Sequence, residues 1–125
     1  MELLTTSAHD LDRAARALRD GFLVAIPTET VYGLGADARN TVALARVFEA
    51  KRRPSFDPLI VHVADPEEAP GVADLSVRYA AELAERFGTG PLTMDLPKKP
   101  TIPDLATSGV PTVDVQCPAN VVVVE

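Results

Sequence analysis

Pro27-Thr28-Glu29-Thr30-Val31-Tyr32-Gly33-Leu34-Gly35 follows directly on the apolar run Phe22 to Ile26. The run has strand length and is ended by Pro27, a pattern that predicts a strand buried on both faces. Loops leaving the carboxyl ends of strands are where open α/β sheets bind ligands. Thr28, Thr30 and Tyr32 offer hydroxyls there, and Gly33 and Gly35 allow a sharp turn or a close approach of backbone to ligand. The same residues also suit a glycine-containing loop with a capping threonine, so spacing alone leaves both readings open. No Gly-Lys-Ser/Thr follows, and no Gly-x-Gly-x-x-Gly is present, so neither a Walker A loop nor a dinucleotide fingerprint is at hand.

Working outward, Ser7 and Asp10 have capping-box spacing, and Leu11, Ala14, Ala15 and Leu18 recur on one helical face before a stop at Gly21. Asn40 can cap a second helix with Val42, Leu44, Ala45, Val47 and Phe48 as its apolar positions. That helix must end before Pro54, because the residue ahead of a proline is pushed out of the α region. Leu59 to Val63 reads as a strand, and Asp65-Pro66-Glu67-Glu68 as a helix start that Pro70-Gly71 interrupts. A helix is predicted from about Ser76 to Phe87, with Val77, Ala80, Ala81, Ala84 and Phe87 inward and Gly88 closing it. Leu92 to Leu96 and Thr112 to Gln116 read as strands, the second by period-two alternation. The Pro-rich stretch from Pro91 to Pro118 reads as strands joined by stiff loops, and Val121 to Val124 as a further strand-like run. Strands separated by helical patterns predict an α/β sheet with crossover connections in a single domain over residues 1–125.

Two other places carry polar chemistry. Lys51-Arg52-Arg53-Pro54 sits near a helix C-terminus, where cations offset the helix dipole; Pro54 turns the chain away and could aim Lys51 and Arg53 at an anion. His62 lies in an apolar run, as a hydrogen-bonded core residue or as a donor lining a pocket. Neither His9 nor Cys117 has metal-ligand spacing to it, so no His/Cys metal site is expected. Cys117, the sole cysteine, precludes an intrachain disulfide and has no activating base nearby in sequence.

The 125 residues are 46% hydrophobic and 24% charged, ordinary for a globular domain. The formal net charge of −6 gives no global electrostatic case for nucleic-acid binding. No apolar run reaches the roughly 20 residues that cross a bilayer. The first residues, Met1-Glu2-Leu3-Leu4, lack the basic and apolar regions of a secretory signal. A cytoplasmic location without membrane partners is therefore expected.

In order and spacing, Pro27 to Gly35, Lys51-Arg52-Arg53-Pro54, Pro58-Leu59-Ile60-Val61-His62-Val63 and Gly90-Pro91-Leu92-Thr93 resemble the YrdC-like family of threonylcarbamoyl-AMP synthases. The resemblance implies an open, twisted α/β sheet around a concave, electropositive cavity. It implies a reaction in which L-threonine and bicarbonate give a carbamate whose oxygen attacks the α-phosphorus of ATP. Pyrophosphate leaves, and the threonylcarbamoyl-AMP formed serves tRNA threonylcarbamoyl-adenosine modification. Carried over by position, Thr30, Tyr32 and His62 fall on the L-threonine side. Lys51 and Arg53 fall on the catalytic pair that neutralises the triphosphate, and Asp57 and Thr112 on the ATP side. Magnesium is expected to accompany ATP, with no protein metal site, and tRNA or double-stranded RNA is a possible partner.

The sequence departs from that pattern in three places. Gln116 stands where the resemblance places an arginine for the threonine carboxylate, a loss of about 1.5–3 kcal/mol, or roughly tenfold to a hundredfold or more in affinity. Asp57 replaces an asparagine and sets a negative charge near a polyphosphate. The family continues past this length to a Ser-x-Asn motif absent here, so the C-terminal part of the family fold is expected to be missing. The alternative readings are a non-catalytic nucleotide- or double-stranded-RNA-binding relative, or an inactive fragment. The related domain of a hydrogenase-maturation carbamoyltransferase fits less well, since nothing here resembles its companion domains.

Overall fold

A computed structural model describes residues 1–28, 31–52, 54, 57–87 and 89–119. Thr30, Arg53, Gly88, the Phe87 side chain and the run Val121 to Val124 lie outside the described residues.

Helix α1 (Ala8–Arg19) starts where the sequence predicts it, with the Asp10 N–H donating to Ser7 Oγ at 3.2 Å. The Asp10 carboxylate reaches back past Ser7 to Thr5, accepting from its N–H and its hydroxyl, both at 2.8 Å. These bonds hold the Asp10 carboxyl below its ordinary range. Gly21, at φ +86, ends the helix in the left-handed region.

Strands β1 (Val24–Ile26) and β2 (Gly33–Gly35) form an antiparallel ribbon, Ala25 opposite Leu34. The expectation of a strand buried on both faces is corrected here: Ala25 is exposed, and Phe22 is 58% exposed with the Arg46 guanidinium 5.8 Å from its ring centroid. Among the described residues β1 pairs with β2 alone, so a continuous apolar run gains only partial cover.

Helix α2 (Thr41–Lys51) is capped by Asn40, whose Oδ1 accepts from the N–H groups of Val42 and Ala43 at 3.0 and 3.1 Å. Its inner face buries Ala43, Leu44, Val47 and Phe48. Arg46 Nη1 donates to the Gly21 carbonyl at 2.7 Å, so α2 also fixes the turn after α1.

Strands β3 (Ile60–His62), β4 (Thr93–Pro97) and β5 (Thr112–Gln116) make the second sheet. Its order is β3-β5-β4, with β5 parallel to β3 and antiparallel to β4. Alternation divides β5 as the sequence predicts: Val113 and Val115 are buried, and Thr112, Asp114 and Gln116 lie on the other face. The buried face joins Val61, Val63, Leu96 and Ile102 in the main core.

Between β3 and β4 the predicted helix start is a 3-10 turn (Pro66–Gly71), with Asp65 Oδ1 accepting from the Glu67 N–H at 2.9 Å. Helix α3 (Ala80–Phe87) begins later than predicted because Tyr79 sits at φ +67, outside the α region. Ala80 and Ala84 point inward as expected, whereas Val77 and Ala81 are exposed. A four-residue helix, α4 (Asp104–Thr107), lies in the Pro-rich stretch read as loops. It is tied to β3 by the Leu59 N–H donating to the Ala106 carbonyl at 2.9 Å, and to β4 by Lys98 Nζ, 2.9 Å from Asp104.

Candidate functional site

The outer face of the β3-β5-β4 sheet is where chemistry-bearing side chains meet. Register places His62 beside Gln116, and Gln116 beside Thr93. His62 and Thr93 are exposed and Gln116 half-buried, so three polar side chains run across adjacent strands in one accessible row. The Gln116 side-chain amide donates to the Gly90 carbonyl at 3.1 Å, and the Gly90 N–H donates to the Cys117 carbonyl at 2.9 Å. Gly90 is thereby held by both its backbone groups. Its φ of +144 is a conformation that side-chain-bearing residues resist. The turn that delivers Thr93 is thus fastened to the end of β5.

Further along the same face, Asp114 neighbours Asp95, and Thr112 neighbours Pro97. Thr112 and Gln116 are four residues apart on one strand, roughly 13 Å at the usual rise per residue. A shallow pocket of about 130 Å³ lies at the Thr112 end, lined by Pro58, Leu59, Asp95, Thr107, Thr112 and Asp114 among others. Burial, and then the Asp95 charge, push the Asp114 carboxyl above its ordinary range.

The remaining predicted site residues fall on the two loops. Lys51 is the last residue of α2 and exposed. Arg52 caps that helix in the left-handed region at φ 49, its N–H directed to the carbonyls of Phe48 and Glu49. Asp57 is half-buried, its N–H donating to the Pro54 carbonyl at 3.1 Å. Lys51 and Asp57 therefore bracket the connection from α2 to β3. Tyr32 is 77% exposed, and the Thr28 hydroxyl donates to the Val31 carbonyl, closing the first loop on itself. Thr30 and Arg53 lie outside the described residues.

The sequence left His62 as a core or pocket-lining residue and gave Thr112 only through the family resemblance. It did not show that they share a face, or that Thr93, Asp95 and Asp114 are their neighbours. The signal was the alternation of Thr112 to Gln116; register alone supplies the partners. Cys117 is buried, its Sγ 3.5 Å from the Ala64 carbonyl. Burial, then Asp65 and Glu68, push its thiol up, which keeps it protonated and unreactive. Among the described residues no three His, Cys, Asp or Glu side chains cluster to hold a metal ion, and no helix is long and apolar enough to cross a membrane.

Fold and face together define a mixed-sheet α/β domain whose β3-β5-β4 sheet buries one face in the core and leaves the other open and polar, with Tyr32 just ahead of β2 in the separate ribbon and Lys51 at the end of α2. The profile of the Sua5/YciO/YrdC family, described as "Telomere recombination", matches residues 16–125. The chain is 50% identical over 107 residues to a threonylcarbamoyl-AMP synthase of Pyrococcus abyssi, covering 86% of this chain and 32% of that protein. It is 44% identical over 116 residues to the Bacillus subtilis protein of the same name, covering 92% and 34%. Among solved structures, P. abyssi Sua5 complexed with L-threonine superposes with a TM-score of 0.89 at 44% identity, over 98% of this chain and 36% of that one. The solution structure of a Methanobacterium thermoautotrophicum protein matches at 0.73 and 31% identity, over 98% and 58%. The chain belongs to the Sua5/YciO/YrdC family. It spans about a third of the length of the two curated relatives named.

Proposed function

We propose that this chain acts in L-threonylcarbamoyladenylate synthesis from L-threonine, bicarbonate and ATP. The carrying observation is the match, over 98% of the chain, to a Sua5 structure that binds L-threonine. In this reading L-threonine lies against the outer sheet face at His62, with Thr30 and Tyr32 of the first loop around it. Its amine and bicarbonate give a carbamate, and a carbamate oxygen attacks the α-phosphorus of ATP as pyrophosphate leaves. The protein's task is alignment and charge neutralisation, since the bonds exchanged are the substrates' own. Lys51 and Arg53 offset the triphosphate, while Asp57 and Thr112 meet the nucleotide. Magnesium belongs with ATP, held by its phosphates. The adenylate would then serve tRNA modification.

Pyrophosphate release from ATP that requires both L-threonine and bicarbonate is the expected result. ATP turnover indifferent to threonine, or none from well-folded protein, would remove the catalytic reading. One observation favours a second one, nucleotide binding without turnover: Gln116 holds Gly90 in place of the cation that the family resemblance calls for. Saturable ATP binding with no pyrophosphate release would decide for it.

A further inference from the structure

The outer sheet face carries a feature that the proposed reaction does not use. Asp95 and Asp114 are direct partners on β4 and β5. The Lys98 N–H donates to the Pro111 carbonyl at 3.0 Å, so the 98–111 position is a hydrogen-bonded one. Counting by twos along the same register makes 96–113 and 94–115 hydrogen-bonded as well. Asp95–Asp114 falls between them, at the narrow kind of pair where Cα atoms stand about 4.5 Å apart and side chains are closest. Like charges directly opposite in a ladder oppose strand pairing.

Among the described residues no lysine or arginine is a strand neighbour of either aspartate. On β3 the neighbours are Ile60 and His62; on β4 they are Thr93 and Pro97, and on β5 Thr112 and Gln116. The pocket wall around Asp114 adds Pro58, Leu59, Thr107 and Val110, and Asp57 precedes it with a further carboxylate. Lys98 is engaged with Asp104 and with the Ile102 carbonyl, and Lys99 with the Pro70 carbonyl. His62 is two residues along β3 from Ile60, the β3 partner of Asp114.

We propose that Asp114, set directly opposite Asp95, is a proton-linked position that favours β4–β5 pairing in mild acid and opposes it once its own carboxyl ionises beside the Asp95 charge. The perturbed state of Asp114 agrees with this: burial and the Asp95 charge both favour its protonated form. A group whose folded-state affinity for the proton is raised gives stability that is full below its unfolded range and is lost as pH rises through its folded range. Asp114 therefore works in the window just above ordinary carboxylate titration, opposite in sign to Asp10.

Two measurements on the full chain test this. Carboxyl 13C shifts followed by NMR should show Asp114 titrating above the usual aspartate range, with Asp95→Asn bringing its midpoint back down. In thermal unfolding at pH 7.5, Asp95→Asn and Asp114→Asn should each raise Tm by about 2–5 °C, with the double variant gaining no more than the better single one. Both gains should shrink toward pH 4. An Asp114 midpoint that ignores Asp95→Asn overturns the proposal, as do additive gains or gains equal at both pH values.

Discussion

Replacing Asn40 with alanine tests how the loop-and-helix scaffold holds together. Asn40 Oδ1 satisfies two of the four N–H groups left over at the start of α2, at 3.0 and 3.1 Å. Asn40 is half-buried and Val42 is exposed, so water can replace part of what the side chain supplies. The cost of Asn40→Ala should accordingly be about 1 kcal/mol within a range of about 0.5–2. With urea m-values of about 1–3 kcal/mol/M, the unfolding midpoint should fall by roughly 0.3–1 M with no change in slope. Asn40→Asp keeps the acceptor and suits the helix dipole, so it should stay close to wild type, and Asn40→Gly should fall between Asp and Ala. Lys51 is at the far end of α2, roughly 16 Å away by helical rise, so ligand affinity of the folded protein should change by less than about twofold. If Asn40→Ala matches wild type, or Asn40→Asp is as damaging as Asn40→Ala, the capping account of α2 is wrong.

Ile102 is 1% exposed, so Ile102→Ala should lower unfolding free energy by about 2–5 kcal/mol in urea titrations, and Ile102→Val by about 0.5–1.5. Asp10 is held below its ordinary range by Thr5, so its stabilisation is present above the unfolded carboxylate range and lost as pH falls through the folded one. Asp10→Asn should flatten the acid side of a Tm-versus-pH curve while leaving the shape near neutrality unchanged. Lys51→Met should weaken ATP binding about three- to tenfold at low salt, and less at high salt, because an exposed cation is screened; calorimetric titration at two ionic strengths reads both effects.

Much of the scaffold was legible because its periodicities are strong. The alternation of Thr112 to Gln116 predicts β5 with the bounds it has, and Asn40 marks the start of α2. Residues 22–26 were over-read, since a run of apolar residues reports what can be buried and not what covers it. Helix α4 escaped because four residues between Pro103 and Gly109 offer no helical period to detect. The late start of α3 rests on the backbone angle of one residue, Tyr79, which no side-chain pattern signals. For the site, residue types gave His62 and Lys51 and the family resemblance gave Thr112, but the row His62–Gln116–Thr93 and the pair Asp95–Asp114 exist only once strand register is known.

In the proposed function the outer face of the β3-β5-β4 sheet receives L-threonine. An NMR titration of the 15N-labelled full chain with L-threonine tests it most directly. Saturable shifts centred on His62, Thr93 and Gln116 are expected, with buried residues such as Val113 and Ile102 unmoved. Saturable shifts elsewhere with this row silent, or no saturable shifts at all, would contradict it.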